Sequence, residues 1–121
     1  MAKKILIIDD APIIRRMLTD IILAQGYEVA GEAVDGVDGV QKFLELRPDL
    51  VTLDIIMPKQ DGLATLKEIL AHDANAKVIM ISAIDQKEYL SQAIALGVSD
   101  YIVKPFDDGK VIASIKTALE C

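Results

Sequence analysis

Five short apolar runs alternate along the chain with five longer stretches in which apolar residues recur every three or four positions. The first run, Lys4-Ile-Leu-Ile-Ile-Asp9, has no polar interruption, which predicts a strand covered on both faces, and it ends in the acidic pair Asp9-Asp10. Pro12 suits a first helical turn. Ile14, Met17, Leu18, Ile21 and Ile22 then keep helical spacing until Gly26 supplies a stop. Residues 27–33 carry a weaker strand signal. Asp35 reads as a helix N-cap, with Val37, Val40, Phe43, Leu44 and Leu46 as an apolar stripe that Pro48 ends.

A third strand is predicted over residues 50–54, followed by Met57-Pro58 and an Asp61-Gly62 turn. The turn opens a helix to about His72 whose Leu63, Leu66, Ile69 and Leu70 face the sheet. Residues 77–82 form the next apolar run, and Asp85 with Glu88 three positions later resembles a capping box for a helix that Gly97 stops. A last strand over residues 100–104 meets Pro105, and Val111, Ile112, Ile115 and Leu119 give the final helix its apolar face. Strand and helix patterns alternating five times predict an α/β fold, a doubly wound parallel sheet with helices on both faces. Without repeats, low-complexity segments or linkers, residues 1–121 are expected to be one domain.

Composition narrows the function. A net charge of −6 argues against nucleic-acid binding, for which Lys3-Lys4 and Arg15-Arg16 are too small a basic footprint. The single cysteine, Cys121, excludes an intrachain disulfide and reads as a frayed terminus in a reducing compartment. The run Ile5 to Ile8 is too short for a signal peptide or a membrane span, so a soluble, cytoplasmic protein without a membrane partner is expected.

The candidate chemistry lies at the strand ends: Asp9 and Asp10 after the first, Asp54 after the third, Ser82 after the fourth and Lys104 after the fifth. In a parallel sheet these ends share one edge, where open α/β sheets place their ligand sites. Three converging carboxylates repel one another unless a cation is present, and a hard divalent ion such as Mg2+ suits oxygen ligands. Lys104 adds a fixed positive charge and Ser82 a hydroxyl donor, while Ala83 leaves room for close backbone approach. A phosphoryl group settles among carboxylates only when such charges offset it, which is also what transfer to a carboxylate nucleophile requires. Lys104-Pro105 has an appreciable chance of being cis.

Asp9-Asp10, Asp54 with Met57-Pro58 and Gly62, Ser82-Ala83, Tyr101 and Lys104-Pro105-Phe106 together resemble the motif set of the two-component receiver domain, in order and over the whole chain. Within that family the chain is most similar to the stand-alone chemotaxis response regulators. The resemblance implies a flavodoxin-like sheet of strand order 2-1-3-4-5. It implies that Asp54 accepts a phosphoryl group from a histidine kinase or a small phosphodonor. Asp10, Asp54 and the Ile56 carbonyl would bind Mg2+, with Asp9 acting mainly through water and Mn2+ able to substitute. Ser82, Ala83 and Lys104 would receive the phosphoryl oxygens. Ser82 and Tyr101 would switch the surface of the fourth helix, fifth strand and fifth helix, where Leu90, Ile94, Tyr101 and Val103 form a partner patch. The implied protein is a monomeric regulator rather than an enzyme, with a downstream target such as the flagellar motor switch and a phosphatase as further partners.

Bland readings stand beside these. Asp9 and Asp10 alone would simply cap the first helix; Asp35, Asp61, Asp85 and Asp107 each precede a helical pattern and read as turn or cap residues. His72 reads as an exposed helix end, Tyr101 by itself as an edge-strand aromatic, and Met17, Met57 and Met80 as packing. The positions two after Asp54 and two after Ser82 are apolar, Ile56 and Ile84, where many receivers orient water with polar groups, so slow loss of the phosphoryl group is expected. A rival is a Mg2+-dependent phosphatase or phosphotransferase with an aspartyl-phosphate intermediate; Ile56 counts against it, because that chemistry wants a general acid there. A flavin or nucleotide binder would want a glycine-rich loop where Asp9-Asp10-Ala11-Pro12 stands. A phosphorelay intermediate and the receiver part of a larger transcriptional regulator remain alternative outputs.

Overall fold

The computed structural model describes residues 2–57, 59–83 and 87–120. Asp85 of the expected capping box, Ile84, Pro58 and Cys121 lie outside the described residues. The chain alternates β1 (Lys4–Ile8), α1 (Pro12–Ala24), β2 (Glu28–Ala33), α2 (Gly36–Leu46), β3 (Leu50–Leu53), α3 (Gly62–His72), β4 (Val78–Ser82), α4 (Lys87–Leu96), β5 (Asp100–Val103) and α5 (Asp108–Glu120). All four strand pairings are parallel and the order is β2-β1-β3-β4-β5.

The unbroken apolar runs are the central strands: Ile5 to Ile8, Leu50, Val51, Leu53 and Val78 to Ile81 are all buried. Alternation along each strand divides them between two cores. Leu6, Ile8, Leu53 and Met80 pack with Val40, Phe43, Leu66 and Ile69 under α2, α3 and α4. Ile5, Ile7, Ile79, Ile81 and Ile102 pack with Leu18, Ile22, Val111 and Ile115 under α1 and α5.

The stripe expected on α2 is only partly the buried one. Val37, Leu44 and Leu46 are exposed, and the helix lies on the sheet through Gly36, Gly39, Val40 and Phe43. A Cβ at Gly39 would come within 2.7 Å of the Ile8 side chain, so the small residue sets how closely α2 approaches β1. Met17, expected to pack, is also exposed. As expected, Asp35 and Asp61 cap α2 and α3 by accepting from the Asp38 and Ala64 N–H groups at 2.8 and 2.9 Å.

Register brings the strand ends level. Ile8 pairs with Leu53, Leu53 with Met80 and Ser82 with Val103. The ladder continues one residue further, with Asp9 N–H donating to the Ala33 carbonyl, Asp54 N–H to Ile8 and Lys104 N–H to Ser82. Asp9, Asp54 and Lys104 are thus fixed by sheet hydrogen bonds before any side chain interacts.

Candidate functional site

The loop after β1 begins with a tight turn in which Asp9 Oδ1 accepts from the Ala11 N–H at 2.9 Å. Ala11 is the N-cap of α1 and makes no side-chain capping bond. The acidic pair is therefore not spent on closing the helix end, and the cap-only reading of Asp9-Asp10 fails. Asp10 is exposed beside it.

Beyond β3 the backbone is held by close packing. A Cβ at Gly62 would lie 2.0 Å from the Asp54 carbonyl oxygen, and Gly62 N–H donates to the Ile55 carbonyl at 2.7 Å. Only glycine lets the start of α3 press against the residue that carries the central carboxylate. Lys59, at φ 68°, reaches across to Asp35 at 3.7 Å and ties this loop to the N-terminus of α2.

These constraints gather Asp9, Asp10 and Asp54 so that one carboxylate oxygen from each lies within 4.8 Å of the others. Asp9 and Asp54 are 2% and 6% exposed. Lys104 Nζ donates to Asp9 Oδ2 at 2.8 Å and to Asp54 Oδ2 at 3.3 Å. Asp54 Oδ1 accepts from the Ile55 N–H at 2.8 Å. Burial raises the Asp54 carboxyl above its ordinary range; Lys104 opposes this, the Asp9 charge reinforces it, and hydrogen bonds from Ser82 and Lys104 pull it back. One lysine thus faces three acids, leaving a net negative, oxygen-only donor set. That chemistry fits a hard divalent cation that keeps several waters.

Ser82 is buried at the end of β4 and Ala83 is exposed just beyond it. The Lys104-Pro105 peptide is cis. Ile56 is 60% exposed at the loop surface, so the position two after Asp54 faces solvent without a polar group. On the outer side Tyr101 is half-buried against the α2–α3–α4 core, Leu90 is half-buried, and Val103 and Ile94 are exposed. His72 is exposed at the end of α3.

Sequence reasoning overlooked Arg15, which it read only as half of a basic pair. Its Nη1 donates to the Asp9 carbonyl at 2.8 Å and its Nε to Glu32 Oε1 at 3.0 Å. The signal available was its place one helical turn after Ala11, under the acidic loop. The buried hydroxyl of Thr52 was also missed; among the described residues it has no hydrogen-bond partner.

Residues 5–116 match the response regulator receiver domain. The chain belongs to this family. As a receiver it is 49% identical to the chemotaxis protein CheY of Thermotoga maritima over 115 residues, 95% of this chain and 96% of that protein. It is 47% identical to CheY of Bacillus subtilis over 119 residues, 98% of this chain and 99% of that protein. Among solved structures, the complex of CheX, CheY, BeF3 and Mg2+ from Borrelia burgdorferi is 37% identical with a TM-score of 0.92, covering 95% of this chain and 87% of that one. A CheY-like receiver domain from Methanospirillum hungatei superposes with a TM-score of 0.94 at 28% identity, covering 99% of this chain and 95% of that one. The order β2-β1-β3-β4-β5 expected from the motifs is the order observed. No helix among the described residues is long and apolar enough to cross a membrane.

Proposed function

We propose that this receiver is a single-domain chemotaxis response regulator, residues 1–121, that takes a phosphoryl group on Asp54 from a histidine kinase and presents it as a changed surface to a downstream protein. The observation that carries the reading is the grouping of Asp9, Asp10 and Asp54 around a lysine that bonds two of them. The near-complete overlap with CheY proteins supports the chemotaxis branch.

In the transfer, an Asp54 carboxylate oxygen forms the new O–P bond while the P–N bond of the kinase's phosphohistidine breaks and its electron pair leaves with the imidazole nitrogen. Lys104, already beside Asp54, turns to the incoming phosphoryl oxygens, and Ser82 and the Ala83 backbone donate to them. Asp10, Asp54 and the Ile56 carbonyl, with Asp9 through water, would hold Mg2+, or Mn2+ in its place. Bound there, such an ion would offset the negative charge that the phosphoryl oxygens bring up against the carboxylates. The chain assists its own phosphorylation and loss of phosphate without turning over a substrate.

The phosphoryl group brings about 1.5 to 2 negative charges. Converting a mostly off surface to a mostly on one needs roughly 5.5 kcal/mol of differential stabilisation, within reach of several charge-assisted contacts made only after transfer. Ser82 and Tyr101 are the switch residues of this reading. Leu90, Ile94, Tyr101 and Val103 form the patch it offers to a target, with the flagellar motor switch protein as the first candidate and a phosphatase as a further partner. The exposed, apolar Ile56 goes with slow loss of phosphate. The reading places the protein in the cytoplasm as a monomer.

Intact mass after incubation with a small phosphodonor tests it. The wild type is expected to gain one phosphoryl group only with Mg2+ present, and Asp54→Asn to gain none. An adduct that persists in Asp54→Asn, or none on the wild type at saturating Mg2+, would sink the assignment.

A further inference from the structure

The acidic loop after β1 is held from outside the site by one side chain. Arg15, 16% exposed on its side chain, places its guanidinium between the Asp9 carbonyl and the Glu32 carboxylate. Glu32 belongs to β2, opposite Ile7 in the register, so the bridge links the loop to a sheet strand rather than to another loop. Lys42 of α2 in turn donates to the Glu32 carbonyl. Arg15 itself is fixed in α1, its N–H donating to the Ala11 carbonyl and its carbonyl accepting from the Thr19 hydroxyl.

Asp10 needs such an anchor more than its partners do. Asp9 and Asp54 are buried and extend the sheet ladder, whereas Asp10 is exposed between Asp9 and the uncapped start of α1. Its carboxylate can sit in the acidic group only as well as the Asp9–Ala11 turn is held. The Asp9 carbonyl that Arg15 grips is the backbone atom joining the two acids.

We propose that Arg15, seated by Glu32, is a positioning residue that holds the Asp9-Asp10 turn in its cation-binding geometry. This rests on the reading of the acidic group as a divalent-cation site. Two effects of Arg15 oppose one another there. Its charge repels a cation, so deleting it by charge alone would tighten binding; its grip on the Asp9 carbonyl orders the acids, so losing it weakens binding. Side chains that orient metal-binding groups from outside typically govern about 10- to 100-fold in affinity.

The test uses Mg2+ alone as the probe, its affinity read from the rise in unfolding midpoint against each variant's own metal-free value. Arg15→Lys and Arg15→Met are both expected to weaken Mg2+ about 10-fold. Glu32→Ala, which leaves the arginine but removes its seat, is expected to weaken it about threefold. Glu32 is 45% exposed on its side chain, so this variant is expected to fold. Arg16→Met also removes one positive charge; among the described residues Arg16 pairs with Asp20 alone, at the surface and at 3.6 Å, and its loss is expected to leave the affinity unchanged. A purely structural role would lower the metal-free midpoints without moving the affinity. Arg15 variants that bind Mg2+ within about twofold of the wild type, or more tightly, overturn the proposal while the cation site stands. A wild type that binds no Mg2+ overturns both.

Discussion

The two edges of the sheet carry the same acidic residue type and use it differently. Where strands begin, Asp49 accepts from the Lys4 N–H at 2.8 Å, and Asp100 accepts from the Tyr101 N–H at 2.8 Å and from the Ser114 hydroxyl at 2.7 Å. Both acids are exposed, and each ties a strand start to a neighbouring element, Asp49 to β1 and Asp100 to α5. Where strands end, Asp9 and Asp54 are buried, share one lysine and stand beside Asp10. Burying like charges costs free energy that exposed caps do not. The difference teaches that the first edge uses its acids as architecture, whereas the second gathers buried like charges that architecture does not need, the arrangement on which the proposed function rests.

The largest break in that comparison should come from Lys104→Met. It leaves two buried carboxylates without their shared cation, and roughly 2–4 kcal/mol of metal-free stability is expected to go, somewhat below a fully buried pair because Lys104 retains some solvent contact. Urea unfolding measures it, with Mg2+ expected to restore part; a loss below about 0.5 kcal/mol would put this edge on a par with ordinary surface pairs.

Asp54→Asn should act in the opposite direction, raising metal-free stability by about 1 kcal/mol as one of the crowded charges is removed. The pH dependence has a definite sign. Burial raises the native Asp54 carboxyl above its unfolded value, so its contribution is fully present below the ordinary carboxylate range and is lost as pH rises through the raised native value. The wild type should therefore lose stability across that interval relative to Asp54→Asn. Parallel melting curves for the two proteins would contradict this.

Thr52 sits in the middle of β3, between the two edges, with its hydroxyl buried and unpartnered among the described residues. Thr52→Val keeps the shape and is expected to gain about 1 kcal/mol; a loss would show that the hydroxyl is engaged. Asp49→Ala, on the architectural edge, should cost only about 0.5 kcal/mol, the low end for one hydrogen bond, and leave Mg2+ affinity unchanged. A change in affinity there would erase the distinction between the edges.

Much of this was legible in the chain because the patterns are local. Continuous apolar runs marked the central strands, and Asp35 and Asp61 marked helix starts, since a strand buried on both faces takes few polar positions, Thr52 being one, and an N-cap is a contact over three residues. The α2 stripe was less legible: Val37, Leu44 and Leu46 have the right spacing, yet Gly36 and Gly39 take the buried face. A glycine carries no hydrophobic signal, and its use against Ile8 exists only once β1 lies beneath it.

The sequence by itself determined the fold class, the strand ends that carry acids and a lysine, and the family to which those residues belong, because strand period and motif spacing are properties of the chain alone. Tertiary structure decided the rest. It decided that Lys104 bridges Asp9 to Asp54 from 95 and 50 residues away, that Gly62 must lack a side chain because the Asp54 carbonyl fills the space, and that Arg15 grips Asp9 while bound to Glu32. Each is a contact between elements whose separation is set by packing and register, which no local pattern encodes.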